Sequence, residues 1–134
     1  MDKVHLDIFQ PQQVKLQDDF DHVIVPGIEG DFGISIGHTP FITMLRPGVI
    51  SAYKGDKVDN YAIHDGFVTV EEDKVVITCQ TIEAAAEIDA QRAKKAKQRA
   101  EKRLQAPPDS SDIDFRRAEL ALKRSLVRLS LKES

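Results

Sequence analysis

Cysteine occurs once in this 134-residue chain, at Cys79. A single thiol excludes an internal disulfide framework and a cysteine-based zinc site. It also points to a reducing compartment. Long apolar runs are missing: no stretch approaches the roughly 18 consecutive apolar residues of a membrane span. The opening Met1-Asp2-Lys3-Val4 has no basic n-region and no apolar run, so no secretory signal is expected. The histidines, His5, His22, His38 and His64, fall at no metal-ligand spacing and form no His-x-x-x-His pair, which argues against zinc. Nothing local supports a nucleophile, base and orienting group in mutual contact. Internal repeats and low-complexity tracts are likewise absent from the sequence.

What is present is uneven. Residues 1–86 hold 6 Lys and Arg against 14 Asp and Glu, a balance of −8. Residues 87–134 hold 13 against 8, a balance of +5. An acidic front and a basic back suggest two parts meeting different surfaces, although solvated helix faces also collect Lys and Arg.

The hydrophobic period changes at the same place. Val4-Leu6-Ile8 alternates with His5, Asp7 and Phe9, the period of a half-buried strand. Further β-rich runs at His22–Val25, Phe41–Leu45, Val49–Tyr53, Asn60–His64, Phe67–Val70 and Val75–Thr78 are separated by turn signals. Lys54-Gly55-Asp56-Lys57 and Glu71-Glu72-Asp73-Lys74 read as hairpin tips. This pattern favours a sandwich or a barrel. Behind it, Ile88, Ala93, Ala96, Ala100 and Leu104 mark one helix face. Pro107-Pro108 stops that helix, and Ser110, Ser111 and Asp112 are N-cap candidates for a second. The second stripe is Phe115, Ala118, Leu122, Ser125 and Leu129. The organisation expected is a β-domain over residues 1–84 and an antiparallel two-helix hairpin over 85–134.

Three features bear on chemistry. Gly27, Gly30, Gly33 and Gly37 punctuate a stretch ending in His38-Thr39-Pro40, with no Gly-Lys-Ser/Thr end to suit a phosphate loop. It reads as a docking loop presenting Ile34, Ile36 and His38, or as a plain connector. Arg92 and Arg99, seven apart, share one helix face, as do Arg124 and Arg128, four apart. In an antiparallel hairpin the four can converge, and their forked donors suit phosphate oxygens; the alternative is a set of solvated face charges. Glu83 and Asp89 could accept from ribose or base groups, and Ala93 leaves room for a flat ring. Cys79, in a β-rich run, reads as a small buried hydrophobe.

Taken in order, these residues resemble the epsilon subunit family of bacterial F-type ATP synthases, essentially end to end. The resemblance rests on the glycine-rich stretch ending Gly37-His38-Thr39-Pro40 and on Ile88-Asp89-Ala90-Gln91-Arg92-Ala93, which fits the family's I/L-D-x-x-R-A nucleotide motif. It rests also on the stretch from Asp112 to Arg124, similar to the family's second helix. Ser35-Ile36 stands where many members have Leu-Pro, and Asp65-Gly66-Phe67 where Gly-Gly-Phe is common.

The resemblance implies an N-terminal β-sandwich followed by a C-terminal helical hairpin, in a non-catalytic rotor subunit of the central stalk. The sandwich would be held to the gamma subunit and rest on the c-subunit ring through Asp31, Phe32, Ile34, Ile36 and His38. The hairpin, when extended, would reach the beta and alpha subunits and block ATP hydrolysis. ATP would be a regulatory ligand, with or without Mg²⁺, that stabilises the folded hairpin through Glu83, Ile88, Asp89, Arg92, Ala93, Arg99, Arg124 and Arg128. No catalytic residue and no metal site is implied. The chain would lie on the cytoplasmic face of the bacterial membrane, touching it only through the complex. Outside that reading stand a rotor linker without nucleotide, a small enzyme built on the glycine loop and His38, and a nucleic-acid-binding module. The last is opposed by an acidic sandwich and a hairpin whose one aromatic, Phe115, lies on the apolar stripe.

Overall fold

The computed structural model describes residues 3–105 and 112–133. Two compact units meet at Ala84/Ala85.

The first unit is a β-sandwich of two five-stranded sheets. Ten strands contribute: β1 Val4–Gln10, β2 Gln13–Phe20, β3 His22–Gly27, β4 Gly30–Ile34, β5 Phe41–Met44, β6 Gly48–Lys54, β7 Lys57–Ile63, β8 Phe67–Glu71, β9 Lys74–Thr78 and β10 Ile82–Ala84. One sheet runs β2-β1-β9-β8-β5 and the other β10-β7-β6-β3-β4. All pairings are antiparallel except β1 with β9. Period-two alternation builds the core: Val4, Leu6 and Ile8 from β1, Val68 and Val70 from β8 and Val75 and Ile77 from β9 meet Val23, Val25, Ile50 and Ile63 of the other sheet. Each such side chain contributes about 1.5–3 kcal/mol by leaving water.

Three strands lie outside the sequence pattern. β2 is an edge strand in which only Phe20 is buried, so its alternation is faint. β4, Gly-Asp-Phe-Gly-Ile, is disguised by its glycines. β10 has only three residues. Both expected hairpin tips are present, closed by the pairs Lys54↔Lys57 and Glu71↔Lys74.

The second unit holds a 3-10 turn at Ala85–Glu87 and two helices, α1 Ala90–Leu104 and α2 Asp112–Glu133. The helices pack on each other. The end of α2 lies beside the start of the unit, where Lys132 Nζ donates to the Ala85 carbonyl at 3.2 Å, so the pair is antiparallel. Four of their buried positions are small and equally spaced, Ala93 and Ala100 on α1 and Ala118 and Ser125 on α2. Short side chains let two helix backbones approach closely. Two positions depart from the expected stripes. Ile88 precedes α1, and Phe115 is 49% exposed, whereas Ala118, Ser125 and Leu129 of the same expected stripe are buried. Pro107, Pro108, Ser110 and Ser111 lie outside the described residues.

Candidate functional site

The hairpin and the glycine-rich segment each place sequence-selected residues together. On α1, Asp89 is the N-cap: its backbone is extended, and its Oδ1 accepts from the Arg92 amide at 3.2 Å. This satisfies one of the donors that a helix start leaves open. It also sets an acid at the positive end of the helix dipole, where Arg92 alone is unfavourable.

Each of the four arginines directly precedes a buried residue: Arg92 before Ala93, Arg99 before Ala100, Arg124 before Ser125 and Arg128 before Leu129. A preceding residue sits about 100° around the helix from its neighbour. In an antiparallel pair that rotation carries both helices' residues to the same flank, so the four guanidiniums share one side of the hairpin. Counting one to two turns inward from the Lys132–Ala85 contact sets Arg124 and Arg128 near the first turn of α1, beside Arg92. Arg99 lies two turns, about 10 Å, further along. Arg92, Arg99 and Arg124 are exposed, and among the described residues no ion pair engages them; Arg128 is half-buried. Arg92, Lys94, Lys95, Lys97, Arg99, Lys102 and Arg103 share α1 with one acid, Glu101, so the helix is strongly cationic.

The remaining nucleotide candidates have structural occupations. Ile88 and Ala93 are buried. Glu83 belongs to β10 of the sandwich, opposite Ala62, and its Oε1 accepts from His64 Nε2 at 3.1 Å. Among the described residues no group of three or more His, Cys, Asp or Glu is placed to hold a metal ion. Cys79 is buried, and desolvation pushes its thiol up to about 11, which leaves it protonated and unreactive near neutrality.

The glycine-rich stretch is mostly a hairpin: β3 and β4 pair from Val23↔Ile34 to Gly27↔Gly30, and the loop proper is 35–40. Ile34 therefore does not face a partner. It ends β4 fully buried in the sandwich core, because the alternation of β4 turns it inward. Asp31 and Ile36 are exposed, and Phe32 and His38 half-buried. Phe32 meets Phe41 edge-on with ring centroids 5.0 Å apart, and His38 lies 6.4 Å from Phe32 and 6.3 Å from Phe41. Arg46 braces the hairpin tip, donating to the Gly27 carbonyl and to Asp31 Oδ1, each at 2.5 Å.

Four exposed apolar residues enlarge this surface beyond what the sequence reading selected. The register Met44↔Phe67 and Ile42↔Thr69 puts Ile42, Met44 and Phe67 on the outer face of their sheet. Exposed Ile28 adjoins them, its amide donating to the Met44 carbonyl at 2.9 Å. Alternation within Phe41–Met44 carried the signal, but which face was outside depended on the second sheet. Ile42, Met44 and Phe67 thus share one exposed apolar face, of the kind that marks an interaction surface.

A β-sandwich followed by a helical unit is also what two family models describe. The ATP synthase delta/epsilon chain beta-sandwich domain matches residues 3–85, and the delta/epsilon chain long alpha-helix domain matches residues 86–133. The chain belongs to the ATP synthase delta/epsilon chain family. Its similarity is to epsilon chains in particular. It is 39% identical over 128 residues to the ATP synthase epsilon chain of Desulforamulus reducens, covering 96% of both chains. It is 40% identical over 131 residues to that of Halalkalibacterium halodurans, covering 98% of both. Among solved structures, a chain of the Euglena gracilis mitochondrial ATP synthase OSCP/F1/c-ring assembly superposes with a TM-score of 0.87 at 25% identity, covering 100% of this chain and 83% of that one. A chain of the Tetrahymena thermophila central stalk and c-ring shares the fold, with a TM-score of 0.64 at 12% identity, covering 96% and 95%. Epsilon chains are non-catalytic stalk subunits, and this chain is accordingly not an enzyme. No described helix is long and apolar enough to cross a membrane.

Proposed function

We propose that this chain is a rotor linker of an F-type ATP synthase whose hairpin is an ATP-sensitive brake on hydrolysis. The sandwich docks on the gamma subunit and the c-ring through Asp31, Phe32, Ile36 and His38, together with the exposed apolar face of Ile42 and Met44. The extended hairpin offers its cationic helices to the beta and alpha subunits. ATP, with or without Mg²⁺, bridges the folded hairpin and holds it away from them. The chain then sits peripherally on the cytoplasmic side of the membrane, through the complex.

The observation that carries the nucleotide reading is the shared flank of Arg92, Arg124 and Arg128, with no acid among the described residues paired to Arg92 or Arg124. Guanidinium forks on two helices suit a polyphosphate, which ties the helices together. A ligand that binds only the folded hairpin stabilises it by RT ln(1 + [L]/Kd), about 1.4 kcal/mol at ten times Kd. That is roughly an elevenfold shift, decisive only for two nearly balanced states.

Calorimetric titration of the full chain with ATP tests this. The expected result is saturable one-to-one binding that is lost in Arg92→Ala and in Arg124→Ala, both at exposed positions. Adding the chain to its catalytic complex should inhibit hydrolysis less at high ATP than at low. No binding at millimolar ATP removes the nucleotide and leaves a linker whose arginines face only protein or solvent.

A further inference from the structure

The turn joining β8 to β9 has positive φ at both central residues, Glu72 at 50° and Asp73 at 61°. Asn-Gly is the usual sequence for such a two-residue turn, because glycine enters the left-handed region without a clash. Here the second position is an aspartate. Its carbonyl accepts from the His5 amide at 2.9 Å, a bond any residue could make. Its side chain does something glycine could not: Oδ1 accepts from the Gly37 amide at 2.6 Å, across 36 residues of chain.

Gly37 is the hinge of loop 35–40. Its φ is +81°, and the His38 amide closes the turn onto the Ser35 carbonyl at 3.2 Å. The Asp73 carboxylate therefore holds the turn from outside, at the residue before His38. His38 in turn touches Phe32 and Phe41 and donates from Nδ1 to the Thr39 carbonyl at 2.7 Å. Short charge-assisted bonds are the stronger ones. A left-handed non-glycine residue that spends its side chain on a distant loop is a strained position with a positional task.

We propose that Asp73 is a positioning residue that presets loop 35–40, and with it Ile36 and His38, for docking on the gamma and c-ring surface. The inference rests on the docking reading above. Preorganisation raises affinity by removing the ordering cost of the loop on binding.

The test compares full-length Asp73→Gly and Asp73→Asn. Glycine relaxes the left-handed backbone but frees the unfolded chain, opposing effects that leave the Tm within about 2 °C. The Gly37 amide, followed by NMR, should exchange with solvent about tenfold faster. Affinity for a gamma–c-ring subcomplex should fall about three- to tenfold, and Asp73→Asn, which keeps an acceptor oxygen and tolerates the left-handed region, should restore both readouts. Unchanged Gly37 exchange in Asp73→Gly overturns the proposal, as does faster exchange with unchanged affinity. If the unaltered chain does not bind the subcomplex, the docking reading fails and the docking role falls with it. The exchange measurement then still decides whether Asp73 sets the loop.

Discussion

Asp89 Oδ1 and the Arg92 amide are hydrogen-bonded at 3.2 Å, so these two residues are the cap and the third residue of α1. A conventional Asp89→Ala variant would therefore disturb two things at once. Asp89→Ala should cost about 1 kcal/mol of hairpin stability, whereas Asp89→Ser should cost little, because serine also caps. Thermal melting by circular dichroism measures this. If the unaltered chain binds ATP as proposed, and Asp89→Ser melts normally but does not bind it, the carboxylate is a ligand as well as a cap.

The small-residue seam sets the hairpin's tolerance. Ala100→Leu should destabilise the second unit by about 1–3 kcal/mol through overpacking. Ser125→Ala should be nearly neutral, since the buried hydroxyl donates to the Ala121 carbonyl of its own helix, at 2.9 Å. Hydrogen exchange resolved by unit should show the leucine effect in the helices and spare the sandwich core.

Arg46 braces the β3–β4 tip through Gly27 and Asp31. Its side chain is 41% exposed, so solvent screens the Asp31 pair and the global loss in Arg46→Ala should stay below about 1 kcal/mol. Exchange of amides around the tip should accelerate all the same. A urea transition with unchanged slope would show that the effect is local.

His5 lies between two carboxylates, with Nδ1 at 2.7 Å from Asp19 and Nε2 at 2.9 Å from Asp7. Only the imidazolium donates from both nitrogens. The Asp19 hydrogen bond is the main cause that raises its pKa above 6.5, with Asp7 adding to it. A raised pKa contributes stability that is complete below the unfolded value and is lost as pH rises through the folded one. Stability should thus decline across the range above pH 6.5, and His5→Gln should abolish that slope. An NMR titration placing His5 at or below 6.5 would contradict it.

Much of the architecture was legible because burial is periodic. Val4-Leu6-Ile8 and Val75–Thr78 alternate since one face of each strand meets the core. β4 and β2 were not legible: glycines hide the alternation of one, and the other is an edge strand with Phe20 alone buried. Within the candidate site, arginine spacing and the Asp89 motif were visible along a single helix.

The sequence by itself determined the two periods, the change of charge between the halves and the family, since these are properties of residues close in the chain. Tertiary structure decided the rest. Ile34 proved to be core rather than surface because the pairing of β4 with β3 chose its face. Asp73 and Gly37 meet across 36 residues, and Arg46 and Asp31 across 15, through turns that no local pattern encodes. Ile42 and Met44 are exposed because the pairing of β5 with β8 turns them to the outer face of their sheet. Side-chain period reports that a face is buried; only the packing of a second layer determines which one.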